Sequence, residues 1–218
     1  MRDSFKIDSD YPRLVLLGNS NVGKSSIARY LLKKRNLTVG AIGKHAGSTV
    51  KLNLYNSAKI PYQIADLPGF GAMLRTSKKK KNEIHDSIIQ YVETDRENIF
   101  LTLIVLNALR IEDELEKWYF KNNKTIPLSY EFVMWLNQVG LPSIIVINKI
   151  DRIKRRDLNQ ILKNVLLVLD DFGISIQNAE SDEGLIQIIP VSAKKKKNMK
   201  NLETEIQHYF DLKFPNFE

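Results

Sequence analysis

The sequence contains no cysteine. That excludes disulfides, cysteine-ligated zinc and iron–sulfur clusters, and it fits a reducing compartment. Histidine is scarce too: His45, His85 and His208 are scattered and read as surface or packing residues. No apolar run is long enough to span a bilayer; "FLTLIVL" and "SIIVI" are both far too short. The segment "MRDSFKIDSDYP" lacks the apolar core of a signal peptide. A cytoplasmic protein with no transmembrane segment is therefore expected. Internal repeats and low-complexity linkers are also missing.

What is present is an ordinary globular composition, 43% hydrophobic and 27% charged over 218 residues. This suits one domain with a sizeable core. The formal net charge is +8, which favours polyanionic partners. The basic residues gather in three blocks, Arg75–Lys81, Arg152–Arg156 and Lys194–Lys200. Each follows a motif described below.

Strand-like and helix-like segments alternate. "RLVLLG" (13–18) reads as a buried strand and "GKSSIARYLLKKR" (23–35) as a helix. "TVGAIGKHAGST" (38–49) is rich in glycine and small residues and reads as a mobile loop. "VKLNLY" and "PYQIAD" suggest an antiparallel hairpin, "KNEIHDSIIQYVETD" a helix and "IFLTLIVLN" a central strand. Residues 111–139 look helical but interrupted at "KNNKTIPLS". Strand, helix, strand and helix follow to residue 212. The pattern predicts an α/β fold with a mostly parallel six-stranded sheet, one strand antiparallel, between helical layers. Ligands of such sheets bind at the carboxyl ends of the strands.

Four motifs fall at those ends. "GNSNVGKS", Gly18–Ser25, fits the phosphate-loop pattern between a strand and a helix. Gly18 and Gly23 let the backbone amides curl toward phosphates, Lys24 places a cation on the β and γ phosphates, and Ser25 can ligate magnesium. The helix N-terminus adds partial positive charge. The nucleotide-binding set here is Gly18, Asn19, Ser20, Asn21, Val22, Gly23, Lys24, Ser25 and Ser26. "DLPG", Asp66–Gly69, offers a carboxylate that can hold magnesium through water and an amide for a γ phosphate. The same string is also a good turn. "NKID" supplies Asn148, Lys149 and Asp151. The Asp151 carboxylate can accept from guanine N1–H and its 2-amino group, donors adenine lacks, and such a site discriminates by about 10⁴. Asn148 would brace the loop, and the Lys149 stem can cover the base. "SAK", Ser192, Ala193 and Lys194, completes the pocket, with the Ala193 amide facing guanine O6. Ser48 and Thr49 both end the mobile loop; either hydroxyl can reach magnesium when a γ phosphate is present, as a switch residue does.

Together "GNSNVGKSSIARYLL", "AGSTVKLNLY", "DLPGFG", "NKID" and "SAK" resemble the EngB (YihA/YsxC) GTPases of the TRAFAC class. The segment "WYFKNNKTIPLSYEFVMWLNQVGLPSIIVINKID" is similar to the archaeal branch. The likeness runs from about Leu14 to Phe210. Two departures stand out: many bacterial members have Thr where Asn148 stands, and Pro-Gly-x-Thr where this chain has Ala46-Gly47-Ser48-Thr49. The resemblance implies a three-layer Ras-like P-loop G domain over 13–213, with an insertion near 112–130, an extension at 1–12 and a tail at 214–218. It implies GTP and GDP with magnesium on Ser25, Thr49 and Asp66, Thr49 as the switch residue, and a role in assembling the large ribosomal subunit.

One residue is missing from the pattern of many nucleotide switches. A Gln after the Gly of "DLPG" would orient the attacking water; here Phe70 stands there and cannot. The resemblance implies a class with a hydrophobic residue at this position, several members of which use potassium. Their potassium ligand is an Asn matching Asn21, which otherwise only shapes the loop. The catalytic set so implied is Lys24, Asn21, Thr49 and Gly69. Arg75 and Arg110 are possible arginine fingers. A monomeric GTPase switch whose basic blocks meet a ribosomal large-subunit precursor or rRNA is the favoured reading. A GTP-dependent binding module with negligible turnover and a peripheral membrane GTPase are the alternatives.

Overall fold

The computed structural model describes residues 11–34, 36–37, 41–44, 51–69, 78–121, 126–176 and 186–217, with backbone alone at 41–44, 51 and 78–81. Seven strands form one sheet: β1 (Arg13–Gly18), β2 (Ala41–Lys44), β3 (Lys51–Tyr55), β4 (Gln63–Asp66), β5 (Ile99–Asn107), β6 (Ser143–Asn148) and β7 (Ile186–Pro190). Their order is β2-β3-β4-β1-β5-β6-β7. Strands β4, β1, β5, β6 and β7 run parallel. Only β3 is reversed, pairing antiparallel with β2 and β4.

The α/β architecture and the single reversed strand are those expected, but the sheet has a seventh strand. The stretch 41–44, read as part of a loop, pairs from Ala41↔Leu54 to Lys44↔Lys51. Its sequence "AIGK" has weak strand propensity, and the ladder to β3 overrides it.

Among the described residues six helices cover the sheet: α1 (Lys24–Leu31), α2 (Lys78–Thr94), α3 (Ile111–Leu115), α4 (Leu128–Gln138), α5 (Arg155–Asp171) and α6 (Met199–Lys213). A π-helical turn, Glu116–Phe120, prolongs α3. The central strand β5 is buried on both faces and so reads as a continuous apolar run. From Leu101 onward its odd and even residues divide the core in two. Ile104 and Leu106 join Ile88, Tyr91, Phe132, Val133, Val165 and Val168 beneath α2, α4 and α5. Leu103 and Val105 join Ile27, Leu31, Leu202 and Ile206 beneath α1 and α6. These are the three layers.

At the amino ends of the strands, Arg13 is fully buried. Its Nε lies 3.3 Å from Asp95 Oδ2, which also accepts from the Tyr91 hydroxyl at 2.9 Å. Residues 214–217 pack on this end: the Phe217 ring is 6.0 Å from Phe210 and 5.2 Å from Tyr11. The opposite edge, where β1, β4, β6 and β7 end in parallel, carries all four sequence motifs.

Candidate functional site

β1 ends at Gly18, and the chain curls through residues 19–23 into α1. The curl needs three left-handed residues: Gly18 (φ 141°), Asn21 (φ 64°) and Gly23 (φ 108°). Glycine accepts such angles freely, and Asn tolerates them. Space adds a second constraint. A Cβ on Gly18 would lie 2.3 Å from the Val105 carbonyl oxygen, and one on Gly23 would lie 2.2 Å from Asn148 Nδ2. Lys24 folds back over the loop and donates to the Gly18 carbonyl at 3.2 Å.

β4 delivers Asp66 beside this loop, in register with Leu16. Asp66 Oδ1 is 3.9 Å from Lys24 Nζ, and it is buried without a hydrogen-bond partner. Burial pushes the carboxyl up to about 6, the Lys24 charge pulling it back only in part. The same burial lowers the Lys24 pKa against the pull of Asp66. A buried carboxylate oxygen with no hydrogen-bond partner, beside the Lys24 ammonium, is a ligand that a hard, oxygen-seeking cation can take. Ser25 adds an exposed hydroxyl one residue beyond Lys24. Asp66 and Ser25 therefore fit magnesium. Gly69 closes against the loop, since a Cβ there would lie 2.8 Å from both the Ser20 amide nitrogen and its hydroxyl. The phosphate loop and the "DLPG" turn are thus brought together.

The base side rests on Asn148, which is buried at the end of β6. Its Nδ2 donates to the Val22 carbonyl at 2.9 Å. Its Oδ1 accepts from the Lys149 amide at 2.8 Å and the Ala193 amide at 3.1 Å. Lys149 (φ 71°) sends its ammonium to the Asn21 carbonyl oxygen. Ser192 Oγ donates to Asp151 Oδ1 at 2.5 Å. That bond is the main reason the Asp151 carboxyl sits below its ordinary pKa, with Lys194 and Lys195 adding to it. The Ala193 amide, expected to face a base oxygen, is already engaged by Asn148; a base carbonyl there has to share it.

Two adjoining cavities follow from this arrangement. One of about 410 Å³ is lined by Asn19, Asn21, Lys24, Ser25, Ser26 and Lys149. The other, of about 1040 Å³, holds Asn148, Asp151, Ala193 and Lys194, and shares Gly23, Ser26 and Lys149 with the first. A phosphate cleft leading into a nucleoside cleft is a shape that suits a nucleotide. Ser48, Thr49, Phe70 and Arg75 lie outside the described residues. Arg110 is exposed at the start of α3, and nothing directs it to the clefts.

Residues 13–149 match the family described as 50S ribosome-binding GTPase, and 123–211 match the elongation factor Tu GTP-binding domain. The chain is 31% identical over 186 residues to a probable GTP-binding protein EngB of Methanopyrus kandleri, covering 82% of this chain and 89% of that one. The chain belongs to the EngB family. Further EngB relatives come from Methanococcus aeolicus (32% identical, 72% of this chain) and Methanococcus maripaludis (35%, 71%). The matched region spans 66% and 64% of those two proteins' length. Among solved structures, a probable GTP-binding protein EngB superposes with TM-score 0.67 at 24% identity, over 92% of this chain and 99% of that one. Translation elongation factor SelB of Methanococcus maripaludis gives 0.53 at 18%, over 95% of this chain and 34% of that one. At these identities both show the fold alone.

Motif reading did not find the far wall of the larger cavity. Arg29, Tyr30, Lys33, Lys34, Arg152, Lys196 and Glu203 line it as well. Part of that wall was legible: Ser26 and Arg29 or Tyr30 follow helical spacing on from the phosphate loop, whereas Lys33 and Lys34 lie beyond the end of α1. The Lys33–Glu203 ion pair, 3.4 Å, joins the turn after α1 to α6, and no local pattern announces it.

Proposed function

We propose that this chain binds GTP and GDP with magnesium and hydrolyses GTP to GDP and phosphate, as a nucleotide-dependent switch in assembly of the large ribosomal subunit. The carrying observation is that Asn148 ties the phosphate loop to the "NKID" and "SAK" loops, so phosphate and base pockets form one preformed site. Asp151 supplies the guanine-selective carboxylate. Lys24 sets a cation where charge develops on the β and γ phosphates, and the Gly69 turn brings an amide toward the γ phosphate. Water attacks the γ phosphorus, and the bond from it to the β–γ bridging oxygen breaks. Magnesium, held by Ser25 and Asp66 with Thr49 as its third protein ligand, would neutralise phosphate charge. The ribosomal partner is supported by the family's description and by the cations at 152–156 and 194–200, which make no ion pair among the described residues.

Phe70 leaves the attacking water without a side-chain hydrogen bond, so intrinsic turnover is expected to be slow. Asn21 lines the phosphate cleft, and we assign it the potassium site that offsets this loss. The test is GTP turnover in potassium against sodium at matched ionic strength, for wild type and Asn21→Ala. Faster hydrolysis in potassium, lost in the variant, supports the reading; equal rates in both salts overturn the potassium site. Undetectable single-turnover hydrolysis, with and without ribosomal large subunits, would instead make the chain a GTP-dependent binding module.

A further inference from the structure

The four lysines at 194–197 form a closed loop rather than a loose charge run. Ser192 and Lys197 exchange two backbone hydrogen bonds, Ser192 N–H to Lys197 O at 3.0 Å and Lys197 N–H to Ser192 O at 3.1 Å. The Lys195 amide donates to Ser192 Oγ at 3.0 Å, and Asn198 Nδ2 donates to the Pro190 carbonyl at 2.8 Å. Lys196 and Asn198 take left-handed angles, both with φ 57°. The side chains nevertheless divide. Lys194 and Lys196 line the nucleoside cavity together with Arg152, while Lys195 and Lys197 line neither cavity.

All four are exposed. None of the four, nor Arg152, Arg155 or Arg156, makes an ion pair among the described residues. By contrast Lys24, Lys33 and Lys121 are all paired. A lip of unpaired cations around a cavity mouth fits a polyanion. Met199 is buried beneath it, so Lys194–Lys200 exposes no apolar side chain for a bilayer. This favours an RNA strand over a lipid surface.

The loop has one direct line to the base pocket. Ser192 Oγ accepts from Lys195, within the loop, and donates to Asp151, the guanine-reading carboxylate. We propose that RNA phosphates docked on Lys195 and Lys197 hold this loop closed over the nucleoside cavity and so slow nucleotide release. The proposal rests on the nucleotide reading above and adds its regulation. To the extent that slower release appears as tighter nucleotide binding, linkage makes the effect reciprocal: bound nucleotide tightens RNA binding by the factor by which RNA tightens nucleotide binding.

The experiment measures release of a fluorescent GDP analogue, with polyuridylate RNA as the probe and phosphatidylserine vesicles as the control. RNA is expected to slow release about fivefold, the low end of ordinary coupling, and salt should erase the effect. Lys197→Glu, at a residue that lines neither cavity and keeps its backbone bonds to Ser192, should leave the RNA-free release rate unchanged and weaken the slowing. Ser192→Ala should still bind RNA while its release rate no longer responds. RNA binding with unchanged or faster release overturns the coupling and leaves the nucleotide reading standing. Slowing by vesicles but not by RNA overturns the choice of partner. Failure to bind the GDP analogue at all overturns the nucleotide reading and this proposal with it.

Discussion

Replacing Asp66 with Asn should stabilise the ligand-free protein while removing the function it serves. Asp66 is folded with a pKa of about 6 against an ordinary 3.8, because its carboxylate is buried with one oxygen unpartnered. A carboxyl whose folded pKa is raised favours the fold in its protonated form. That stability is present at low pH and is lost as pH rises from near 4 through 6. The difference between the two values, about 2, at about 1.36 kcal/mol each, makes the ionised group cost on the order of 3 kcal/mol by pH 8. Near pH 4 the same linkage leaves only a small part of that cost. Asp66→Asn should therefore raise Tm by roughly 6–12 °C near pH 8 and by little near pH 4. The assay is thermal unfolding in a chelator without nucleotide, at both pH values. Adding magnesium and GTP should then reverse the order, since only the wild type gains the ligand's full stabilisation. A variant less stable than wild type near pH 8 would refute the argument, because it would mean that the carboxylate is satisfied where it sits.

Two more predictions test the base side. Asp151→Asn should shift preference from guanine to xanthine nucleotides, with GTP binding weakened by two or more orders of magnitude, on the order of the discrimination such hydrogen bonds give; unchanged GTP affinity in a competition titration would show the pocket to be misassigned. Asn148→Ala orphans the Val22 carbonyl and the Lys149 and Ala193 amides, and should cost about 2–3 kcal/mol in denaturant unfolding, together with nucleotide affinity. A loss below about 0.5 kcal/mol would mean that water replaces the side chain without penalty.

The parallel strands were legible because burial on both faces leaves unbroken apolar runs ending at glycine or a polar residue, as in "RLVLLG" and "IFLTLIVLN". The motifs were legible because their spacing is set by the strand ends. Strand β2 was not, because its conformation comes from the β3 ladder rather than from "AIGK". Nor was the Asp66 pKa, which depends on how deeply the neighbouring elements bury it. The engagement of the Ala193 amide by Asn148, and the placement of Lys33 against Glu203, join residues 45 and 170 positions apart. Contacts at that range belong to the packed sheet and leave no local trace.

The Asn148 side chain bears on the entropy of ligand capture. It fastens three loops from three strands through one amide, so the floor of both pockets is set before any ligand arrives. A guanosine fragment and a pyrophosphate fragment, offered separately, then meet surfaces that are already ordered. Neither has to pay for organising the other's half, so their binding should be nearly independent. The cooperativity a switch requires must therefore arise outside that floor, in the segments that lead away from it.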